Sequence, residues 1–303
     1  MATHHFSPTR WHNTLGQHKP EFHCADGDTV IIDTLDAAGY DKDGVARAMS
    51  PNPVNAPIFI EGAEAGDALC VEILRMTPTR GTGWTFSGLA ANVVEPRAVA
   101  VLPQRERVTW LIDRQKLEAR LETPPPELEY LVLPLDPMIG CFGVAPALGQ
   151  ALSNATSAQN GGNMDYRRFG PGTTVWFPVA VPGALFSLGD GHAVQGDGEI
   201  VGTGIETTFE VEFRLTISKH HDLVWPRGET ADEIFSIGNA RPLDQALQHA
   251  TTDMMNWLMR DYGLTSVSAS HLMGQVVRYD VGNVFDPAYT MVCRMPKKWL
   301  PAK

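Results

Sequence analysis

The chain is short of cysteine, of basic charge and of uninterrupted apolar sequence, and each shortage excludes something. Its four cysteines, Cys24, Cys70, Cys141 and Cys293, are scattered through 303 residues with no C-x-x-C pair. A disulfide-stapled fold and a thiolate-built structural zinc site are therefore not expected. Lysine and arginine number 24 against 35 acids, a formal charge of −11 with no long basic run. That balance argues against nucleic acid and against an anionic membrane surface as partners. Apolar stretches such as Val175–Leu188 are cut by Pro178, Pro182 and Gly183, so no membrane span is expected. The first residues lack the apolar core of a signal peptide. The expectation is a soluble protein of a reducing, cytoplasmic compartment.

What is abundant is glycine and proline, 28 and 22 residues, while charged residues stay at 19%. This composition suits many short strands joined by tight turns. Asp26–Asp33 and Ala65–Leu74 each place Gly-Asp in a turn before a β-branched and aliphatic run, which predicts antiparallel strands. Ile58–Ile60 and Thr173–Phe177 read as further strands. Ile205–Ile217 alternates polar with apolar residues, as a half-buried strand does. Ser153–Gly162 reads as a long polar loop. Thr123–Pro126 is an extended linker, so the chain is either one domain or two lobes divided there. Leu243, Ala246, Leu247, Ala250, Met254, Trp257 and Leu258 share one helical face, with Pro242 at its start and Gly263 at its end. A second helix is expected over Ser266–Gln275 and a last strand over Tyr289–Arg294.

Chemistry concentrates in Gly189-Asp-Gly-His-Ala-Val-Gln-Gly-Asp-Gly-Glu199, where eleven residues carry one imidazole, three carboxylates and four glycines. An imidazole and carboxylates together can bind a divalent ion or move protons, and the glycines let the backbone bring them together. Asp197 and Glu199, two apart, point the same way if the backbone is extended. Turn chemistry explains any one of these residues but not the whole segment. Its spacing matches no helical metal motif.

Gly161-Gly-Asn-Met-Asp165 can present an amide and a carboxylate from a rigid turn, or be a plain Asx-turn. Asp33 and Asp36 end a strand, facing a cleft or solvent. Glu206 either points back into the same pocket or alternates on the surface with Glu210 and Glu212. His12, His18 and His23 form a histidine-rich arm, as ligands or as surface, and His220 and His221 read as a solvated turn. Cys141, flanked by glycines in apolar sequence, reads as a buried, inert thiol rather than a nucleophile. A Ser-Ser-Lys amidase plan fails because Ser153–Gly162 contains no lysine.

GGNMD, FPVAVPGALFSLGDGHAVQGDGE and VGTGIE, with HNTLGQHKP and ADGDTVIIDTLDAAG before them and GNARPLDQALQHAT and YDVGNVFDPAYTMVC after them, resemble the acetamidase/formamidase family. The resemblance covers nearly the whole chain. It implies hydrolysis of short amides such as formamide or acetamide to carboxylate and ammonia, and a homo-oligomer. It also implies a mainly β, α+β fold: an antiparallel β-sandwich-like core with an inserted α+β portion, besides the helices expected near the C-terminus. The family's polar block corresponds here to Asn163, Asp165, Asp190, His192, Asp197 and Glu199, with Asp36 at the acidic position after the first strand. Gly191 stands where the commoner form has threonine.

A divalent metal that lowers the pKa of bound water would serve such a reaction. The expected ligands are His192, Asp36 and Asp165, with zinc first and manganese, iron or calcium as alternatives. Glu199 is the expected base, Asp197 a further ligand or the group orienting His192, and Asn163 an oxyanion donor. Asp190, Glu206 and His18 are expected behind these. Two other readings stay open: a different metal-dependent enzyme, such as an isomerase or oxygenase, on a similar β scaffold, and a binding module stabilised by calcium. Calcium favours oxygen ligands and has little use for His192.

Overall fold

The computed structural model describes residues 1–219 and 223–302; the turn read at His220 and His221 lies outside them. Two large sheets dominate. The first runs Thr3–Phe6, Thr29–Asp33, Phe209–Ser218, Ala68–Pro78, Thr174–Pro178, Arg227–Glu229, Glu233–Ala240, Tyr289–Pro296, Arg278–Asn283. Only its first pair is parallel. The alternation read in the sequence appears at its centre: Phe209, Val211, Phe213 and Leu215 are fully buried while the residues between them are partly exposed.

The second sheet is antiparallel and runs Leu133–Pro134, Glu118–Leu121, Arg107–Asp113, Thr82–Phe86, Glu206–Thr207, Ser187–His192, Met138–Gly143, Gly161–Asn163, Ser157–Ala158. Val54–Asn55 joins it beside Ser187–His192, and Trp11–His12 pairs with Val54–Asn55. One apolar core, including Ile32, Val71, Phe142, Phe177, Phe186 and Phe213, draws on strands of both sheets. The proline run at Thr123–Pro126 is crossed inside this second sheet, since Glu118 on one side pairs with Pro134 on the other.

Helix α1, Leu243–Asp261, and helix α2, Ser266–Val276, are inserted in the first sheet between Glu233–Ala240 and Arg278–Asn283. Ala246, Ala250, Met254, Trp257 and Leu258 of α1 are buried as the stripe predicts, but Leu247 stays exposed. Gly263 follows α1 with φ +65°, a left-handed position that glycine takes without strain. The Thr265 hydroxyl accepts the Ser268 N–H and caps α2. These helices cover a second apolar cluster with Ile234, Cys293 and Met295. No helix among the described residues is long and apolar enough to cross a membrane.

The polar stretch Ser153–Gly162 is not a surface loop. Short strands cross it, and Asn154, Ser157 and Asn160 are buried. The Asn154 amide donates to the carbonyls of His12 and Asn52, and the Asn160 amide to that of Val144. Its polarity serves internal hydrogen bonds rather than water, a use that composition does not reveal.

Candidate active site

The site forms where Ser187–His192, Met138–Gly143 and Gly161–Asn163 lie side by side. Pairing along the first two joins Met138 to His192, Ile139 to Gly191 and Cys141 to Gly189. Between these pairs the ladder breaks, and Asp190 takes φ +59°. Gly140 lies at the gap: a Cβ there would approach Asp190 Oδ2 to 2.8 Å and also collide with Asp165. Its bare backbone is what lets the two carboxylates pack against that strand. Asp165 and Glu199 also hold positive φ, +43° and +50°, so three acids of one cluster sit where side-chain-bearing residues rarely do.

His192 is the centre. Its Nδ1 lies 2.7 Å from Gln195 Oε1. The Gln195 amide in turn donates to the Asp165 carbonyl at 2.6 Å, which orients its oxygen toward the ring. With Nδ1 engaged by Gln195, Nε2 is the ring nitrogen turned toward the acids. Nε2 lies 3.0 Å from Glu206 Oε1 and 3.4 Å from Asp190 Oδ1 but is aligned for a hydrogen bond with neither.

Two amides tie the other acids together. Asn283 Nδ2 donates to Asp165 Oδ2 and Glu199 Oε2 at 2.7 Å each and lies 3.1 Å from Asp286 Oδ2. Asn163 Nδ2 donates to Asp165 and Asp286 at 2.6 Å each, while its oxygen accepts from Asn52. Even so, Asp165 Oδ1, Asp190 Oδ1, His192 Nε2 and Glu206 Oε2 are buried with no partner. Leaving a buried polar atom unpaired costs about 1–3 kcal/mol, so four in one cluster mark a place shaped for a ligand.

The electrostatics agree. Burial, then repulsion from Asp190, raises Asp165 to about 6. Burial raises Glu206 to about 8 against the pull of His192. Burial and neighbouring carboxylates lift Glu199 and Asp286 well above the usual range. Burial alone would lower His192, but Glu206 and Asp190 outweigh it and raise it well above its ordinary value. Crowded acids that hold protons this tightly mark a site that a cation would stabilise. Ligand atoms of Asp165, Asp190 and His192 lie within 4.8 Å of one another, as do those of His192, Glu199 and Glu206, and of Asp165, Glu199 and Asp286.

Asn163, Asp165, Asp190, His192, Glu199 and Glu206, all singled out in the sequence, thus meet in one place. Three others do not. Asp36 is buried, but its carboxylate accepts from Arg80 at 2.7 Å, Trp84 Nε1 at 3.3 Å and the N–H groups of Ala38 and Tyr40, and it joins none of the candidate ligand groups among the described residues. Asp197 is exposed and paired with Arg167 at 2.6 Å. Gly198, at φ +84°, and Glu199 turn the backbone, which breaks the extended geometry that would have aimed Asp197 and Glu199 together. Gln195, not Asp197, orients His192. His18 stacks on His12 at 3.9 Å and meets Thr14 Oγ1, apart from the cluster. Glu206 is buried rather than alternating on the surface. Both hydrogens of the Asn163 amide are taken by carboxylates, which makes it a positioning residue for them.

Asp286 and Asn283 escaped the sequence reading. Their signal lay in Asn283-Val-Phe-Asp286-Pro, where Asn283 Oδ1 accepts the N–H groups of Phe285 and Asp286 in an Asx-turn.

A cavity of about 270 Å³ opens onto this cluster, with Asn163, Asp190, Glu199, Glu206 and Asp286 at its floor and Trp84, Phe86 and Phe285 in its wall. Cys141 lies behind the floor, fully buried with Leu15 and Val54; burial raises its thiol well above the ordinary value. That is the inert thiol its sequence context predicts.

A sequence model of the acetamidase/formamidase family matches residues 2–158 and 149–252. An acetamidase of Mycolicibacterium smegmatis is 29% identical over 246 residues, 63% of this chain and 59% of that protein. A putative formamidase of Schizosaccharomyces pombe is 26% identical over 270 residues, 70% and 64% of the two chains. The chain thus matches less than two thirds of either curated relative. The crystal structure of an acetamidase from Yersinia enterocolitica superposes with a TM-score of 0.86 at 31% identity, covering 99% of this chain and 93% of that one.

Proposed function

The chain belongs to the acetamidase/formamidase family, and from that premise we propose that it hydrolyses the C–N bond of short linear amides to a carboxylate and ammonia with a metal-activated water. The observation that carries this reading is the set of buried, unpartnered atoms on Asp165, Asp190, His192 and Glu206, two of which, Asp190 and Glu206, line the cavity. One imidazole nitrogen among carboxylate oxygens fits zinc, and also manganese or iron, better than calcium.

His192 Nε2, Asp165 and Asp190 would hold the cation, with Asp190 in the place first expected of Asp36. When bound, the cation would lower the pKa of a water and polarise the amide carbonyl. Gln195 keeps His192 Nε2 turned inward. Asn283 and Asn163 bridge the acids and hold them in register. Glu199, held through Oε2 and lining the cavity, takes the proton from water and returns it to the departing nitrogen. A carboxyl raised by burial suits both halves of that task. The family's short amides, the absence of a basic run and four unpaired cysteines support a small-molecule substrate and a reducing, cytoplasmic setting, and the family resemblance supports a homo-oligomer.

The test is ammonia release from formamide, acetamide and propionamide, before and after chelation, with metal content measured in parallel. Glu199→Gln retains metal and loses turnover by a factor of at least about 100, whereas His192→Ala loses both. Wild-type kcat in Glu199→Gln would remove Glu199 as the base; turnover indifferent to chelation would remove the metal.

A further inference from the structure

The cavity is larger than the amides named for the family require. At roughly 30 Å³ per water, about 270 Å³ has room for roughly nine waters, whereas acetamide has only four non-hydrogen atoms. Trp84, Phe86 and Phe285 line this cavity as an ordered aromatic wall. Trp84 is tied through Nε1 to Asp36, which Arg80 anchors at 2.7 Å. Phe86 meets Trp84 edge to face at 5.7 Å. The Arg105 guanidinium sits 4.0 Å from the Phe86 ring centre and 4.7 Å from that of Phe285, and is held by the Val201 carbonyl at 2.6 Å. Arg107 lies 3.8 Å over Trp84.

Three rings fixed before any ligand arrives pay no ordering entropy when a flat group settles among them. Asp36 thereby acquires a role of its own: it orients Trp84 instead of binding metal. We propose that the acyl group this enzyme is built to accept is an aromatic one, of the arylacetamide or benzamide class, with its ring against Trp84, Phe86 and Phe285 and its amide over the acidic floor. This rests on the amidase reading and extends it from the reaction to the substrate.

The test measures kcat/KM for acetamide, propionamide, benzamide and phenylacetamide on the metal-loaded enzyme, with binding of phenylacetamide and acetamide followed by calorimetry. Phenylacetamide or benzamide exceeds acetamide by at least about 10-fold, the scale on which apolar pockets discriminate. Trp84→Ala and Phe86→Ala lower that ratio by raising KM for the aryl amides more than for acetamide. Acetamide turned over as well as the aryl amides, with no aryl amide bound, overturns the inference and leaves the amidase intact. Silence on every amide, with phenylacetamide still bound and acetamide not, overturns the amidase reading and keeps the aromatic cavity.

Discussion

Replacing Gly191 by alanine sets a methyl group 3.0 Å from Phe209 Cε2 and closer still to Cδ2. Carbon atoms pack comfortably at about 3.5–4.0 Å, so the ring must retreat. It has little room. Phe209 is fully buried, its N–H donates to Thr34 Oγ1 and its carbonyl accepts the Thr34 N–H. Overpacking of this kind costs about 1–3 kcal/mol; at a slope of about 3 kcal/mol per molar urea the unfolding midpoint of Gly191→Ala falls by roughly 0.3–1 M. Gly191→Thr falls further, because Phe209 occupies the space its side chain would need. Phe209→Ala alone costs about 3–5 kcal/mol. Added in combination, it vacates the space the methyl requires, so the double variant is more stable than the summed single costs by about 1 kcal/mol or more. Urea melts of the two single variants, the double and the wild type supply the cycle. A Gly191→Ala protein as stable as wild type, or strictly additive costs, would refute the argument that these two positions share one space.

Two further expectations concern charges away from the site. Arg227 donates to both carboxylate oxygens of Asp253 at 2.6 and 3.0 Å, and both side chains are about 5% exposed or less; Asp253→Ala therefore lowers stability by about 3–5 kcal/mol, while Arg227→Met/Asp253→Leu recovers most of the loss in the same melts. A cost below about 1 kcal/mol for Asp253→Ala would mean that the pair is not desolvated as its burial indicates. Glu21 titrates at about 2 instead of 4.5: burial pushes it up, but Arg10 Nε, Thr9 Oγ1 and the N–H groups of both residues outweigh that. Its folded value lies below its unfolded one, so its contribution is complete above pH 4.5 and lost as pH falls toward 2. The wild-type minus Glu21→Gln difference in melting temperature should shrink across that window, and a constant difference would sink the assignment.

Local pattern was enough for much of this protein. Glycine-rich turns, β-branched runs and the period-two alternation from Phe209 to Leu215 are near-neighbour signals, and so is the stripe of α1; they identified a mainly β chain with helices near its end. The density of imidazole and carboxylates around His192 likewise marked where the chemistry lies, because no turn needs so many such groups at once.

Tertiary structure decided which groups meet. Glu206 and Asp197 flank the same segment, and sequence spacing favours Asp197 as Glu199's companion. A left-handed turn at Gly198 and Glu199 sends Asp197 to Arg167 and solvent, while antiparallel pairing sets Glu206 directly beside His192. Asp286 and Asn283 come from the far end of the chain, and Asn283 reaches Asp165 across 118 positions. Asp36 is acidic, buried and near the site, yet Arg80 and Trp84 claim it. Local propensity acts over a few residues, whereas a site of this kind is assembled by sheet register and by competition for buried partners, which only the folded chain resolves.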